Sequence, residues 1–326
     1  MRTVSADVKN KDFAPVYLIY GEEAYLRENY RNSLLKALVT PGDSLNFASF
    51  SGDGADAGEI VSLAMTLPFM AERRVIYVKD SGFFKKGADE IADYIEEPSQ
   101  ETVLIFNESE INKNTRTYKI AKKCGYIAEA VRYDRKKLPQ WVAANFKRYD
   151  KKVSADTVNL LIERAGSDMS ALDMEIKKLS SYAEGRESVE AEDVMKLVTR
   201  SPSYSVFQMI NAIGDRKLNE AVGIYYDMMQ EEQNVYGIFT LLSKQFRLML
   251  EVSDLKEKRI SDNDIAEMTG LSYGLVKKYS IQAGKFTRPR MIKALEECVR
   301  APREIAQGKI SKEAAVELLV VGVAST

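Results

Sequence analysis

Apolar residues in the first third of the chain fall in short continuous runs, separated by stretches with helical spacing. The run Val16–Tyr20 leads directly into Gly21 and a segment with helical spacing from about residue 23 to 38. This pattern predicts a buried strand, a turn and a helix. Further strands are predicted at residues 45–50, 74–78, 102–106 and 126–130, with helices around 60–64, 88–96 and 115–123. The alternation predicts an α/β domain with a parallel sheet covered by helices.

The pattern changes after residue 136, where apolar residues keep helical spacing only. Helices are predicted at residues 138–149, 154–164, 169–182 and 191–198, and we expect no strand between them. A loop at residues 201–203 separates this part from a second run of helical stripes that extends to residue 326. The sequence therefore predicts three domains: an α/β domain at 1–136, a small helical domain at 137–201 and an all-helical domain at 202–326.

Composition limits the chemistry. The 326 residues include 47 basic and 48 acidic side chains, no histidine and two cysteines, and the net charge is −1. Without histidine there is no Ser-His or Cys-His nucleophile, and two distant cysteines form neither a zinc cage nor a disulfide framework. The first residues lack the apolar core of a signal peptide, and no run is long enough to span a membrane. We therefore expect a cytoplasmic protein without membrane association.

The turn after the first strand is where many α/β proteins bind nucleotide phosphates through a glycine-rich loop followed by Lys and Ser or Thr. Here the turn has one glycine, Gly21, followed by Glu22 and Glu23, and it has no lysine. The two carboxylates would repel a triphosphate. We predict an ordinary turn at a helix N-terminus, with no cofactor, no metal ligand, no small-molecule substrate and no catalytic residue.

Several stretches in consistent order resemble the delta subunit of bacterial DNA polymerase III. They are 16–26 (VYLIYGEEAYL), 67–78 (LPFMAERRVIYV), 166–168 with Leu172 and 175–179 (EIKKL), and 245–247 (QFR). The resemblance spans nearly the whole chain. It implies an AAA+-like clamp-loader subunit without an ATPase site, in which 137–201 is the helical lid and 202–326 the helical collar that joins sister subunits.

The family resemblance also implies the partners and a binding element. The partners would be the sliding clamp (beta subunit), the ATPase gamma/tau and delta-prime subunits, and primed DNA, within the polymerase holoenzyme. The clamp-binding element would comprise Met65, Thr66, Leu67, Pro68 and Phe69, with Leu67 and Phe69 as anchors. Because Pro68 ends the preceding helix, these anchors could project outward. The alternative is that the apolar residues only pack this helix onto its own sheet.

A basic cluster could line a DNA-facing surface of the first domain. Its members have helical spacing and are Lys113, Arg116, Lys119, Lys122 and Lys123. A solvated helix face has the same pattern, so this alternative stays open.

Residues 261–280 suggest a second function, because they resemble a helix-turn-helix with Ala266, Gly270 and Val276 at positions of close packing. The second helix of such a motif would carry Tyr273, Gly274 and Leu275 where base-reading side chains lie, which favours packing within the collar. One rival hypothesis is therefore a DNA-binding regulator. A more distant one is a nucleotide enzyme with an atypical site.

Overall fold

A computed structural model describes residues 3–133, 137–230, 234–271 and 273–324. The chain divides into two compact units, 1–133 and 134–326. The predicted boundary after residue 136 lies at the end of a segment, 134–136, that is outside the described residues. The further division of the second unit at residue 201 stays a prediction.

The first unit contains a five-stranded sheet in which every neighbouring pair is parallel. Its strands are β1 (Val16–Tyr20), β2 (Phe47–Ser51), β3 (Arg74–Lys79), β4 (Thr102–Glu108) and β5 (Tyr126–Glu129). Their spatial order is β2-β3-β4-β1-β5. The predicted α/β fold class with a parallel sheet is confirmed.

Helices cover both faces of this sheet. They are α1 (Val4–Asn10), α2 (Ala24–Leu38), α3 (Ala57–Ala64), α4 (Phe83–Lys86), α5 (Asp89–Glu96) and α6 (Arg116–Cys124). Side chains of β1 alternate between two cores: Val16 and Leu18 pack with α3, α5 and α6, whereas Tyr17 and Ile19 pack with α1 and α2. All of β1 is buried, which explains its uninterrupted apolar run. The pattern did not predict α1 or α4.

The second unit is largely helical. Its first helices are α7 (Lys137–Lys147), α8 (Ala155–Ala165), α9 (Met169–Tyr182) and α10 (Ala191–Leu197). The expectation of no strand here is wrong, because β6 (Lys152–Val153) and β7 (Ser188–Val189) pair in parallel. Two-residue strands are too short to show an alternating pattern in sequence.

Seven further helices lie in the described part of the second unit. They are α11 (Pro202–Gly214), α12 (Leu218–Gln230), α13 (Val235–Glu257), α14 (Asp262–Thr269), α15 (Tyr273–Ala283), α16 (Arg288–Ala306) and α17 (Lys312–Ala324). Their apolar stripes form one core, to which α13 contributes buried residues along its whole length. Within the described ranges, no helix has the length and apolar character needed to cross a membrane.

Candidate functional site

The predicted binding element, residues 65–69, forms a surface loop between α3 and β3, which we call the anchor loop. Helix α3 begins after Asp56, whose side chain accepts a hydrogen bond from the Glu59 amide, and Met65 is its C-cap. The side chains of Met65, Leu67 and Phe69 are 64%, 74% and 59% exposed. Three large apolar side chains on five consecutive residues therefore face solvent.

The alternative that the apolar side chains of the anchor loop only pack the preceding helix onto its own sheet does not agree with their exposure. Leu63, in the last turn of α3, is partly buried against the core of the first unit. Met65, Leu67 and Phe69 are exposed instead. The inward-facing stripe of α3 therefore ends where the anchor loop begins.

Two exposed apolar residues outside the predicted element border it. Met70 is 94% exposed and has a positive φ of 49°, and Leu45, on the segment before β2, is 62% exposed. Sequence reasoning did not assign either residue to the site. The apolar run from Met65 to Met70 was a signal for Met70, whereas Leu45 is connected to the loop only through tertiary contacts.

The backbone of the anchor loop is bound by a buried arginine at the start of β3. The Arg74 guanidinium donates to the carbonyl oxygens of Thr66 (Nε–O 3.3 Å), Leu67 (Nη2–O 3.1 Å) and Leu45 (Nη1–O 3.0 Å). Arginine has a planar group with several donors in a fixed arrangement, which suits simultaneous contacts to several carbonyls. One side chain therefore joins the loop to the segment before β2.

A second buried polar residue, Asn46, binds the end of the loop. The Phe69 amide donates to Asn46 Oδ1 (2.6 Å), and Asn46 Nδ2 donates to the Phe69 carbonyl (3.0 Å). Asp43 orients Asn46 by accepting from its amide (2.9 Å) and from Nδ2 (3.0 Å). These hydrogen bonds from Asn46 lower the pKa of the Asp43 carboxyl below its usual value, so Asp43 is ionised at neutral pH.

The turn after β1 is closed by the chain's own backbone. The Gly21 amide faces the Glu108 carbonyl (3.4 Å), and the Glu23 amide donates to the Ala130 carbonyl (3.0 Å). Gly21 has φ +134°, and a Cβ placed there would lie 2.8 Å from the Ala130 carbonyl carbon and still nearer to its oxygen. Glycine is required here because the segment after β5 crosses directly over the turn.

The N-terminus of α2 already has an anionic partner. Glu23 is the N-cap of α2, and its carboxylate accepts from the Tyr25 amide. A phosphate bound to a helix N-terminus uses such amides and the positive end of the helix dipole. The Glu23 carboxylate therefore uses an amide that would otherwise be available to a phosphate at this helix N-terminus.

The structure divides the predicted basic cluster into two groups. Lys113 pairs with Glu129 (2.9 Å), and Arg116 is surrounded by Asp89 (3.4 Å), Asp93 (2.6 Å) and Glu96 (3.7 Å). The Glu129 carboxylate raises the pKa of the Lys113 ammonium. The carboxylates beside both cations would repel a phosphate, which disfavours phosphate binding at these two positions.

The other three basic residues are Lys119, Lys122 and Lys123, which are exposed on α6. No acidic side chain in the described part of the chain forms an ion pair with them. Lys119 and Lys122 border a shallow groove of about 510 Å³ whose floor includes Tyr20 and Tyr118. These three lysines are the part of the cluster that is available to a polyanion.

The segment 261–280 forms two helices, α14 and α15, with Gly270 in a left-handed conformation at the end of α14. Ile265 and Val276 from the two helices are buried in the core of the second unit. On the exposed side, the Lys277 ammonium lies 4.6 Å from the centre of the Tyr273 ring. Two consecutive helices are therefore present in this segment, and their apolar side chains pack into the helical core.

Two family models match the chain. Residues 17–131 match the DNA polymerase III delta subunit model, and residues 203–323 match the model of the C-terminal domain of the same subunit. The first match includes the sheet, the turn at Gly21 and the anchor loop, and the second includes α12 to α16. The two models therefore cover both ends of the chain in the expected order.

Known proteins give the same result. The DNA polymerase III subunit delta of Bacillus subtilis (strain 168) is 26% identical over 96% of this chain and 94% of its own length. A probable delta subunit of Aquifex aeolicus (strain VF5) is 22% identical over 80% of this chain and 77% of its own. The solved structure of the Bacillus subtilis DNA clamp loader delta protein matches with a TM-score of 0.70 and 25% identity, covering 99% of each chain.

Fold and similarity thus define a replication clamp-loader subunit with an α/β domain followed by helices. Within that class, the chain belongs to the DNA polymerase III delta subunit family.

Proposed function

We propose that this chain binds the DNA sliding clamp through the anchor loop and opens the clamp ring for loading onto primed DNA. The observation that supports this most strongly is the exposure of Met65, Leu67 and Phe69 on a loop whose backbone is bound by buried polar side chains. Large apolar side chains that fill pockets on a partner supply most of the binding energy of an interface. A clustered apolar surface of this kind is unfavourable in water and favours a protein partner.

We propose that the chain hydrolyses no ATP of its own. Amides of the turn at Gly21 are engaged by the chain's own backbone, and Glu23 caps the helix that would face a phosphate. ATP hydrolysis would then belong to the gamma/tau subunits, and rearrangement of those neighbours would weaken the grip on the clamp. The helices of 202–326 would form the collar that joins gamma/tau and delta-prime, and a replication role in the cytoplasm is the expected setting.

A column that carries immobilised sliding clamp tests this proposal. We expect retention of the purified chain without nucleotide, because its anchor loop is already exposed in the isolated chain. Passage through the column at micromolar concentrations would contradict the proposal. ATP turnover that persists in a preparation free of contaminating ATPases would contradict the proposal that the chain hydrolyses no ATP.

The alternative of a DNA-binding regulator has less support. Tyr273 and Gly274 begin α15, where base-reading side chains would lie, and neither suits the base edges. Sequence-specific duplex binding that is lost in the variants Lys277→Ala and Lys278→Ala would favour this alternative.

The three unpaired lysines of α6 lead to a prediction about the binding of primed DNA. In a clamp loader reconstituted with this chain, the triple variant Lys119→Ala, Lys122→Ala, Lys123→Ala should bind primed DNA more weakly. Each phosphate contact that is lost should reduce the steepness of log K against log salt by about 0.9, so loss of all three would reduce it by about 2.7. Fluorescence anisotropy at several salt concentrations measures this slope.

The matched control for the lysines is Arg116→Ala, which removes a cation of the same helix that is already paired with acids. We expect its salt slope to match that of the unmodified assembly. A triple variant with an unchanged slope would exclude these lysines from the DNA-facing surface.

A further inference from the structure

We infer that Asn46 and Arg74 are positioning residues that hold the anchor loop in its binding conformation, and that Leu45 is a further anchor on the same surface. This inference rests on the proposed function. It adds to that function the residues that shape the binding surface and a segment distant in sequence that extends it.

Arg74 and Asn46 bind the loop backbone at three of its residues. Arg74 binds the carbonyls of Thr66 and Leu67, and Asn46 binds both the amide and the carbonyl of Phe69. Backbone polar groups of the loop are thus satisfied from the side of the protein. The side chains of Leu67 and Phe69 on the same residues face solvent.

Leu45 belongs to the same arrangement through its backbone. Its carbonyl accepts from Arg74 Nη1, while the Leu67 carbonyl accepts from Nη2 of the same guanidinium. The two nitrogens are bonded to one carbon, so a single guanidinium joins the backbones of Leu45 and Leu67. Both side chains are exposed, and together they broaden the apolar surface.

Most side-chain hydrogen bonds of the two positioning residues go to the anchor loop. Buried polar side chains carry a desolvation cost that their hydrogen bonds must offset. Here those bonds go to a loop whose apolar side chains are directed away from the core of the protein. Two buried polar groups that support an exposed apolar loop are what a preorganised binding site requires.

The expected effect follows from the population of the binding conformation. If the loop adopts this conformation only a tenth of the time, the apparent Kd rises about tenfold, while the contacts in the bound state are unchanged. We expect a loss of about this size from Asn46→Ala and from Arg74→Lys, which keeps the charge but lacks the forked guanidinium.

Clamp titrations of the full chain test the inference together with hydrogen exchange of the free chain. In Asn46→Ala and Arg74→Lys, the amides of Thr66 and Phe69, which donate to the Leu63 carbonyl and to Asn46 Oδ1, should exchange faster, while amides of β3 and β4 stay protected. Clamp affinity should fall about tenfold. The affinity of each variant should remain at or above that of a free peptide with the sequence of residues 64–71. Asn112→Ala, which removes another asparagine that accepts from a loop amide, should bind like the unmodified chain.

Leu45→Ala tests the additional anchor. It should weaken clamp binding about tenfold, as expected for an apolar interface residue of intermediate effect, without faster exchange in the loop. The control Val131→Ala removes another half-exposed apolar side chain of the same unit and should have no effect on affinity.

The outcomes separate the inference from the proposed function. An unmodified chain that does not bind the clamp would overturn both. Normal affinity in Asn46→Ala and Arg74→Lys, together with loss of binding in a Leu67→Ala, Phe69→Ala variant, would overturn the inference about positioning and leave the proposed function intact. Normal affinity in Leu45→Ala would remove Leu45 from the interface.

Discussion

Replacing Leu67 and Phe69 together by alanine should lower clamp affinity about a thousandfold, because central apolar residues of an interface each contribute about 2 kcal/mol or more. Both side chains are more than half exposed in the free chain, so their removal leaves no cavity in the core. We therefore expect unchanged stability. Surface plasmon resonance with immobilised clamp measures the affinity, and thermal unfolding measures the stability.

A matched control replaces apolar side chains of similar exposure elsewhere. Val131 and Met174 are 50% and 64% exposed and lie outside the anchor loop. The double variant Val131→Ala, Met174→Ala should bind the clamp like the unmodified chain. If this control loses as much affinity as the anchor variant, or if the anchor variant retains its affinity, the loop is not the binding element.

Gly21→Ala should destabilise the first unit by about 3 kcal/mol or more. The added methyl group would collide with the Ala130 carbonyl, and alanine would also be forced to a φ of +134°. To relieve the collision, the segment after β5 must move away and lose its hydrogen bonds to Tyr20 and Glu23. Urea unfolding followed by far-ultraviolet circular dichroism measures the loss.

Gly52→Ala separates the collision from the cost of the backbone conformation. Gly52 also has a positive φ, +80°, but nothing lies within 4 Å of the position of its Cβ. Its replacement should cost only about 1–2 kcal/mol, the cost of a left-handed conformation for an L-residue. Equal losses in the two variants would mean that Ala130 does not close the turn tightly.

Much of the first unit was predictable because its physical signals are local. The five strands and the helices α2, α3, α5 and α6 follow from apolar periodicity, and their existence and type are confirmed. The closed turn was predictable in part, because Glu22 and Glu23 already disfavour a phosphate. The covering segment at Ala130 was not, because it follows β5, more than a hundred residues later in the chain.

The anchor loop was also predictable only in part, because its supporting residues are distant from it in sequence. Its apolar residues and Pro68 are visible in the sequence, and the structure exposes Met65, Leu67 and Phe69. Its supports are not visible, because Asn46 and Arg74 reach the loop from different segments. A charged residue at the start of a buried strand indicates that Arg74 needs a partner, but not which carbonyls provide it.

The basic cluster gave a pattern that the structure resolved into two groups. Helical spacing alone treats Arg116 and Lys119 alike, although Arg116 is paired with acids of α5 and Lys119 is not. Pairing between helices depends on how they pack, which helical periodicity does not report. The assignment of DNA contacts therefore rests on the three unpaired lysines.

The most direct measurement uses a clamp ring labelled with a donor and an acceptor fluorophore on opposite sides of one subunit interface. Adding this chain without nucleotide should lower energy transfer with the same concentration dependence as binding, and the Leu67→Ala, Phe69→Ala variant should leave energy transfer unchanged. Tight binding with unchanged energy transfer, or full opening by the variant, would contradict a role in opening the clamp through the anchor loop.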